Sequence, residues 1–348
     1  MTESKYLHIF NNETKFSKNF FEFLHDNGFD LNQHELFHYG KNDPSYEKFP
    51  MRVVFAKYYS VIKHLKLLRS MFKTEKIIVH SLASPWLLLF LFLFPKLTDK
   101  VYWVIWGKDL YFYQLLKKKH IHHRIYEFFR KSVFKRIKHV VTYVYGDAEL
   151  ATKWYQINAT YHECIMYPSN LFKDIKTTSI PHKGINILLG NSADPSNNHP
   201  DLLEKLLPHK NKINKIYAPL SYGDKKHAVK IIKLGHELFD LKFKPLTDFM
   251  PFEDYLSIIG SIDVAVFGHN RQQGMGNIIT LLSLGKKVFL KRNISSYKML
   301  KELGIHVFDS NKISSETLQA QLKVNNANII KKSFSKQKLK QQLQKILS

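Results

Sequence analysis

Short β-rich runs alternate with helical patterns along the whole of this 348-residue chain, and that rhythm limits the folds open to it. The runs Tyr6–Phe10, Glu35–Tyr39, Lys76–Ser81, Val101–Gly107 and Val140–Tyr145 read as strands. Between them, Phe16, Phe20, Phe23 and Leu24 recur at helical spacing, and Val54–Met71 reads as a helix. The second half repeats the pattern. Strands are expected at Gly184–Asn191, Ile213–Leu220, Ile262–Gly268 and Lys287–Lys291, and helices at Lys225–Phe239, Phe252–Ile259 and Gly276–Leu284. Alternation of this kind builds βαβ units and parallel sheets. Two sets imply an α/β protein of two doubly wound, Rossmann-like domains, over 1–172 and 184–330, with a basic C-terminal helix over 331–348. The polar segment Lys173–Lys183, which holds Pro181, reads as the boundary. Open parallel sheets bind ligands beyond the carboxyl ends of their strands, so polar clusters at those ends carry the functional signal.

Composition removes several classes. Hydrophobic residues make up 44% of the chain, enough for two cores and too many for a disordered one. The single cysteine, Cys164, can form neither an internal disulfide nor a CxxC zinc pair, and reads as a small buried apolar residue. The start, MTESKYLHIFNN, lacks the basic-then-apolar order of a signal peptide. Trp86–Phe94, WLLLFLFLF, is about half the ~20 residues of a spanning helix and is bracketed by Pro85 and Pro95, so it reads as a core element. The formal charge of +24 attracts polyanions. Lys117–Lys138 concentrates it, with nine Lys or Arg against Glu127, and with Ile121, Ile125, Phe128 and Ile137 near helical spacing. A basic amphipathic helix suits an anionic membrane surface, or packs on a sheet with its charged side in water. No RNP, KH or helix-turn-helix signature accompanies the charge, so the sequence favours nucleic acid less than an anionic surface. The run His120–His123 reads as part of the same solvated basic face.

Two clusters stand out in the second half. Gly190–His199, GNSADPSNNH, falls where a strand gives way to a helix. Its glycine permits a tight turn, and Ser192, Asp194, Ser196 and Asn197 are good helix caps. Gly268–Asn277, GHNRQQGMGN, gathers a cation, two amides and two inner glycines at another helix start. Arg271 suits bidentate contact with phosphate, Gly274 and Gly276 let the backbone approach it, and the helix N-terminus adds attraction. A leaving nucleotide diphosphate needs this, because negative charge builds there as the sugar bond breaks. GMGNII is not a dinucleotide fingerprint: Ile279 replaces the third glycine. The chain has no DxD pair, so no metal and no other cofactor is expected at the diphosphate. Glycosyl transfer also needs a group to take the acceptor's proton. In the first half, Glu13 and Asp109 fall at or just past strand ends and His80 ends its strand; these are the three candidates.

The segments ILLGNSADPSNNH, SYG and FEDYLSIIGSIDVAVFGHNRQQGMGNIITLLSLGKKVFL, with the weaker WVIWGKDLY and VHSLASPWL, resemble a known family. It is the TDP-N-acetylfucosamine:lipid II N-acetylfucosaminyltransferases of enterobacterial common antigen synthesis, also described as 4-alpha-L-fucosyltransferases. The resemblance implies a GT-B fold, a TDP-linked deoxy-aminosugar donor and an undecaprenyl-diphosphate oligosaccharide acceptor. It also implies a peripheral enzyme on the cytoplasmic side of the bacterial inner membrane. By position it places Gly190, Asn191, Ser192, Ser196, Asn197, His199, Tyr222, Arg271, Gln272, Gln273, Gly274 and Asn277 in the donor region. Asn277 stands where the family pattern has a hydroxyl residue. Two other enzymatic readings stay open, a nucleotide-sugar epimerase of the same fold and a GDP-fucose-dependent transferase. A non-enzymatic reading, a basic protein binding nucleic acid or anionic lipid, stays open beside them.

Overall fold

A computed structural model describes residues 4–11, 14–115, 120–175 and 181–348. The chain divides into two compact units, residues 1–169 with 336–348, and residues 170–335. In the first unit, β1 (Tyr6–Phe10), β2 (His34–Tyr39), β3 (Arg52–Ala56), β4 (Lys76–His80), β5 (Val101–Val104), β6 (His139–Val141) and β7 (Thr160–His162) form one sheet in the order 3-2-1-4-5-6-7. Every pairing is parallel. Helices α1 (Thr14–Asp26), α2 (Val61–Lys73), α3 (Pro85–Leu93), α4 (Lys108–Leu115), α5 (Ile121–Phe134) and α6 (Tyr145–Tyr155) connect them. Strands such as β5, VYWV, are buried throughout, as expected where helices cover both faces of a parallel sheet.

The second unit repeats this plan. β8 (Ile185–Leu189), β9 (Ile213–Pro219), β10 (Phe243–Leu246), β11 (Val264–Val266), β12 (Lys287–Leu290) and β13 (Phe308–Asp309) run in the order 10-9-8-11-12-13, again all parallel. Its helices are α7 (His199–Leu206), α8 (Lys225–Phe239), α9 (Phe252–Ser261), α10 (Met275–Ser283), α11 (Ser295–Glu302) and α12 (Ala320–Ser333). In each sheet the strand order reverses beside the first strand, between β1 and β4 and between β8 and β11. Connections leave the sheet in opposite directions there, which opens a crevice at the carboxyl ends.

Several elements differ from the sequence reading. The helix expected from Val54 begins only at Val61, because the β-branched run of Arg52–Ala56 pairs with β2 as an edge strand. The strand expected over Val140–Tyr145 stops at Val141. There the Thr142 hydroxyl accepts the Val144 amide at 3.1 Å, and Tyr145 opens α6. The apolar run is helical over Pro85–Leu93, with Ser84 as the N-cap. Among the described residues no helix is long and apolar enough to cross a membrane.

The basic segment resolves into α5, with residues 117–119 outside the described part. Arg130, counted with the solvated cations, is 1% exposed. It lies over the rings of Phe112, Tyr126, Phe134 and Tyr155, donates to the Leu82 and Asp109 carbonyls, and pairs with buried Glu127 at 3.1 Å. The last helix, α13 (Lys336–Ile346), packs in the first unit rather than standing apart. Gln342 accepts the Ile165 amide at 3.0 Å, and Lys76 donates to the Ile346 carbonyl at 2.8 Å.

Candidate functional site

The reversal point of the second sheet lies between β8 and β11, and the two polar clusters are the loops that follow those strands. Gly190 ends β8 with φ +69, a left-handed conformation that glycine adopts without strain. A Cβ there would sit 2.7 Å from His199 Nε2 and 3.0 Å from Asn197 Oδ1. The loop then folds on itself. The Asn191 amide donates to Asn197 Oδ1 at 3.0 Å, and Asn197 Nδ2 donates to the Ser192 hydroxyl and the Asp194 carbonyl. Asp194 caps the short turn Pro195–Asn197 by accepting the Ser196 amide at 2.9 Å.

The β11 loop lies across this one. Arg271 pairs with Asp194 at 3.3 Å. The Ser196 hydroxyl donates to Gln273 Oε1 at 2.9 Å, and Gln273 Nε2 donates to Asn191 Oδ1 at 3.1 Å. His269 Nε2 lies 3.1 Å from Asn197 Oδ1; as that oxygen only accepts, His269 carries its proton on Nε2. Gly274, at φ +67, is the residue before α10, so free amides of that helix open beside the Asn191 side chain. The β9 loop joins as well. The Ala193 amide donates to the Tyr222 carbonyl at 2.8 Å, and Asn191 Nδ2 donates to the Tyr222 hydroxyl at 3.1 Å.

The expected donor residues thus come together but do two different jobs. Asn191, Ser192, Asn197 and His199 are buried and shape the loops: Asn197 bonds Ser192 and the Asn191 backbone, the Asn191 side chain bonds Tyr222 and Gln273, and His199 faces His227. Tyr222 is exposed, while Ser196, Arg271, Gln272, Gln273, Gly274 and Asn277 are partly exposed and line the accessible side. Arg271 is held by a carboxylate here, so a phosphate would have to share it with Asp194. Burial pushes His199 down to about 4 and His269 down to about 3, so both imidazoles are neutral near neutral pH. Among the described residues no group of three His, Cys, Asp or Glu is placed to hold a metal ion.

The base candidates belong to the first unit. Asp109 is 3% exposed and accepts four donors. Leu82 N and Trp103 Nε1 reach one oxygen at 3.1 and 2.7 Å; Trp106 N and Leu110 N reach the other at 3.1 and 3.0 Å. That carboxylate ties the loop after β4 to the loop after β5, and its lone pairs are occupied. His80 is fully buried and stacks on Phe10 with ring centroids 3.6 Å apart. Its Nδ1 meets the Tyr167 hydroxyl at 2.5 Å and its Nε2 meets His8 Nδ1 at 3.2 Å, and His8 in turn reaches His34 at 2.9 Å. Burial drives His8 and His80 well below the usual imidazole range. Glu13 lies outside the described residues.

A profile of the 4-alpha-L-fucosyltransferases, glycosyl transferase group 56, matches residues 12–348. The chain belongs to this family. Solved glycosyltransferases share its architecture. One from Rickettsia africae is 13% identical, with a TM-score of 0.67 over 100% of this chain and 97% of that one. HepE from Anabaena, solved in complex with UDP, is 11% identical, with a TM-score of 0.69 over 99% of both chains. WaaG, a glycosyltransferase of lipopolysaccharide biosynthesis, is 11% identical, with a TM-score of 0.61 over 96% of both. The fold of this group 56 member is GT-B, and the protein is a glycosyltransferase.

Sequence reading missed several residues that shape the site of this group 56 enzyme. Asp194 was read as a cap; its second role, as the partner of Arg271, needs a contact 77 positions away in the chain. His269 read as one residue of a polar loop, and its burial beneath Asn197 left no trace in the local pattern. Tyr255 on α9 lies near Tyr222 and Asn277, and burial pushes its hydroxyl up.

Proposed function

We propose that this glycosyltransferase takes a nucleotide diphosphate sugar at the β8 and β11 loops, with Arg271 and the N-terminus of α10 (Met275–Ser283) against the diphosphate. The observation that carries this is the crossing of the two loops at the point where the strand order reverses. HepE, which has the same fold, was solved with UDP and with UDP-glucose, and this supports a nucleotide-linked donor. The donor we propose is a TDP-linked deoxy-aminosugar of the N-acetylfucosamine type. The acceptor we propose is an undecaprenyl-diphosphate-linked saccharide, with the enzyme peripheral on the cytoplasmic side of the inner membrane.

Arg271 and the α10 amides would stabilise the charge that grows on the leaving diphosphate as the anomeric bond breaks. Transfer is proposed to need no divalent metal, so it should persist in EDTA. For the base, His80 and Asp109 have their polar atoms engaged in the interior, and Glu13, in the sequence between β1 and α1, is the candidate we favour. Arg271→Ala and Glu13→Gln separate the two roles. Arg271→Ala should lower both TDP binding and transfer, the latter by about 100-fold or more. Glu13→Gln should abolish transfer with TDP binding unchanged. An Arg271→Ala enzyme with unaltered turnover would rule out the donor assignment.

A further inference from the structure

Three helices of the first unit lie side by side. Trp86 at the start of α3 stacks on His64 of α2 with centroids 4.6 Å apart, and Phe94 just past α3 meets Phe72 of α2 at 5.3 Å. On its other side α3 meets α5 through Phe92 and Phe129 at 4.8 Å. The inward faces of α2 and α3 carry Leu67, Met71, Leu87 and Leu91, all buried. Their outward faces should then be polar throughout, and they are not.

On α2, Val61, Leu65 and Phe72 share one outward strip, at 54%, 58% and 50% exposure. The adjoining strip is Ile62, Lys66, Arg69 and Lys73, with Ile62 71% exposed. On α5, Ile121, Ile125 and Phe128 form an outward strip at 68%, 53% and 65% exposure, and Arg124, Lys131 and Lys135 flank it. On α3, which carries no charge, Leu89 and Leu93 point outward. A cleft of about 220 Å³ opens between α3 and α5, lined by Pro85, Leu88, Leu89, Tyr126 and Phe129. Among the described residues of the three helices the only acid is Glu127, buried against Arg130.

Apolar strips beside basic strips, with no exposed acid among the described residues of the helices themselves, form a surface that matches one partner in two ways. It offers hydrocarbon contact, and it offers charge complementary to an anionic interface. Exposed leucine, isoleucine and phenylalanine on adjacent helices are otherwise a standing cost in water. We propose that the α2–α3–α5 face docks on an anionic lipid bilayer, its apolar strips entering the headgroup region and its Lys and Arg meeting the lipid phosphates. This deepens the peripheral-membrane part of the reading above and relocates it. The basic helix α5 supplies one edge of the footprint, and α2, which the sequence marks only as a helix, supplies another.

The test is co-sedimentation of the full chain with phosphatidylcholine vesicles, with and without phosphatidylglycerol. Binding should require phosphatidylglycerol and weaken with salt. Lys66→Glu with Arg69→Glu should cut binding about tenfold or more, from the usual contribution of basic groups at an anionic surface. Ile125→Glu with Phe128→Glu should do the same through lost insertion. Lys226→Glu with Lys230→Glu on α8 changes the net charge equally and should leave binding intact. No binding to anionic vesicles, or equal loss in the α8 control, would overturn the proposal. Self-association without lipid that the α5 pair abolishes would overturn it too. TDP binding, measured in the same variants, should be unchanged; its absence from the wild-type chain would count against the donor reading and not against the bilayer.

Discussion

Gly190→Ala probes the loop architecture most sharply, because the structure supplies both its cost and its control. The native residue has φ +69, where an alanine costs ~1–2 kcal/mol. The new Cβ would also fall 2.7 Å from His199 Nε2 and 3.0 Å from Asn197 Oδ1. Those side chains are fully buried and cannot swing into solvent, so overpacking adds ~1–3 kcal/mol. Gly304 isolates the first cost. It lies in the same unit at φ +82, and its nearest neighbour to a new Cβ is the Ile329 Cδ1 at an ordinary 3.5 Å. Gly304→Ala should therefore cost ~1–2 kcal/mol, and Gly190→Ala about 2–5 kcal/mol. By calorimetry the difference should appear as a melting point roughly 3–10 °C lower for Gly190→Ala than for Gly304→Ala. TDP binding should fall in Gly190→Ala alone, since Asn197 and His199 hold the loop that faces it. Equal melting points would refute the packing argument; equal melting with TDP binding lost in Gly190→Ala would mean that the backbone of residue 190 contacts the ligand directly.

Three further outcomes follow from the same geometry. Asp109→Asn replaces one acceptor oxygen with an NH2 group that faces two donors, so it should destabilise the first unit by ~2–5 kcal/mol; loss of transfer with unchanged melting would instead mark Asp109 as a base. Stability should fall on acidification, because His34, His38 and His199 are held at about 4 and His269 at about 3, while the unfolded chain takes up protons from about pH 6.5 downward. The unfolded state thus binds more protons throughout that window, and urea midpoints should drop between pH 7 and pH 4; flat midpoints would contradict the burial of these rings. Tyr222→Phe removes the acceptor of the Asn191 Nδ2 group and should weaken TDP binding several-fold with ~1 kcal/mol or less of lost stability.

Strands buried on both faces were legible because their signal is local. Ile77–Val79 and Val101–Val104 are short unbroken apolar runs, and nothing but the middle of a parallel sheet suits them. The two polar loops were legible for a related reason: glycine, cap residues and a cation can be seen at a strand end without tertiary knowledge. Edges were harder. β3 (Arg52–Ala56) is only partly buried, so its pattern blurred into the helix that follows, and β7 (Thr160–His162) is three residues of mixed polarity. Charge was harder still. Arg130 looks like its basic neighbours until four aromatic rings from α4, α5 and α6 close around it. The same ambiguity hid α2: sequence gives its period but not which of its apolar residues face water.

If the proposed donor site is right, the loops after β8 and β11 form one nucleotide-diphosphate site. Hydrogen exchange of the full chain with and without TDP tests it directly. Exchange should slow only over residues 190–198 and 268–277 and the first turn of α10, and this protection should be lost in Arg271→Ala. Unchanged exchange in both loops at saturating TDP, or protection elsewhere in the chain alone, would contradict it.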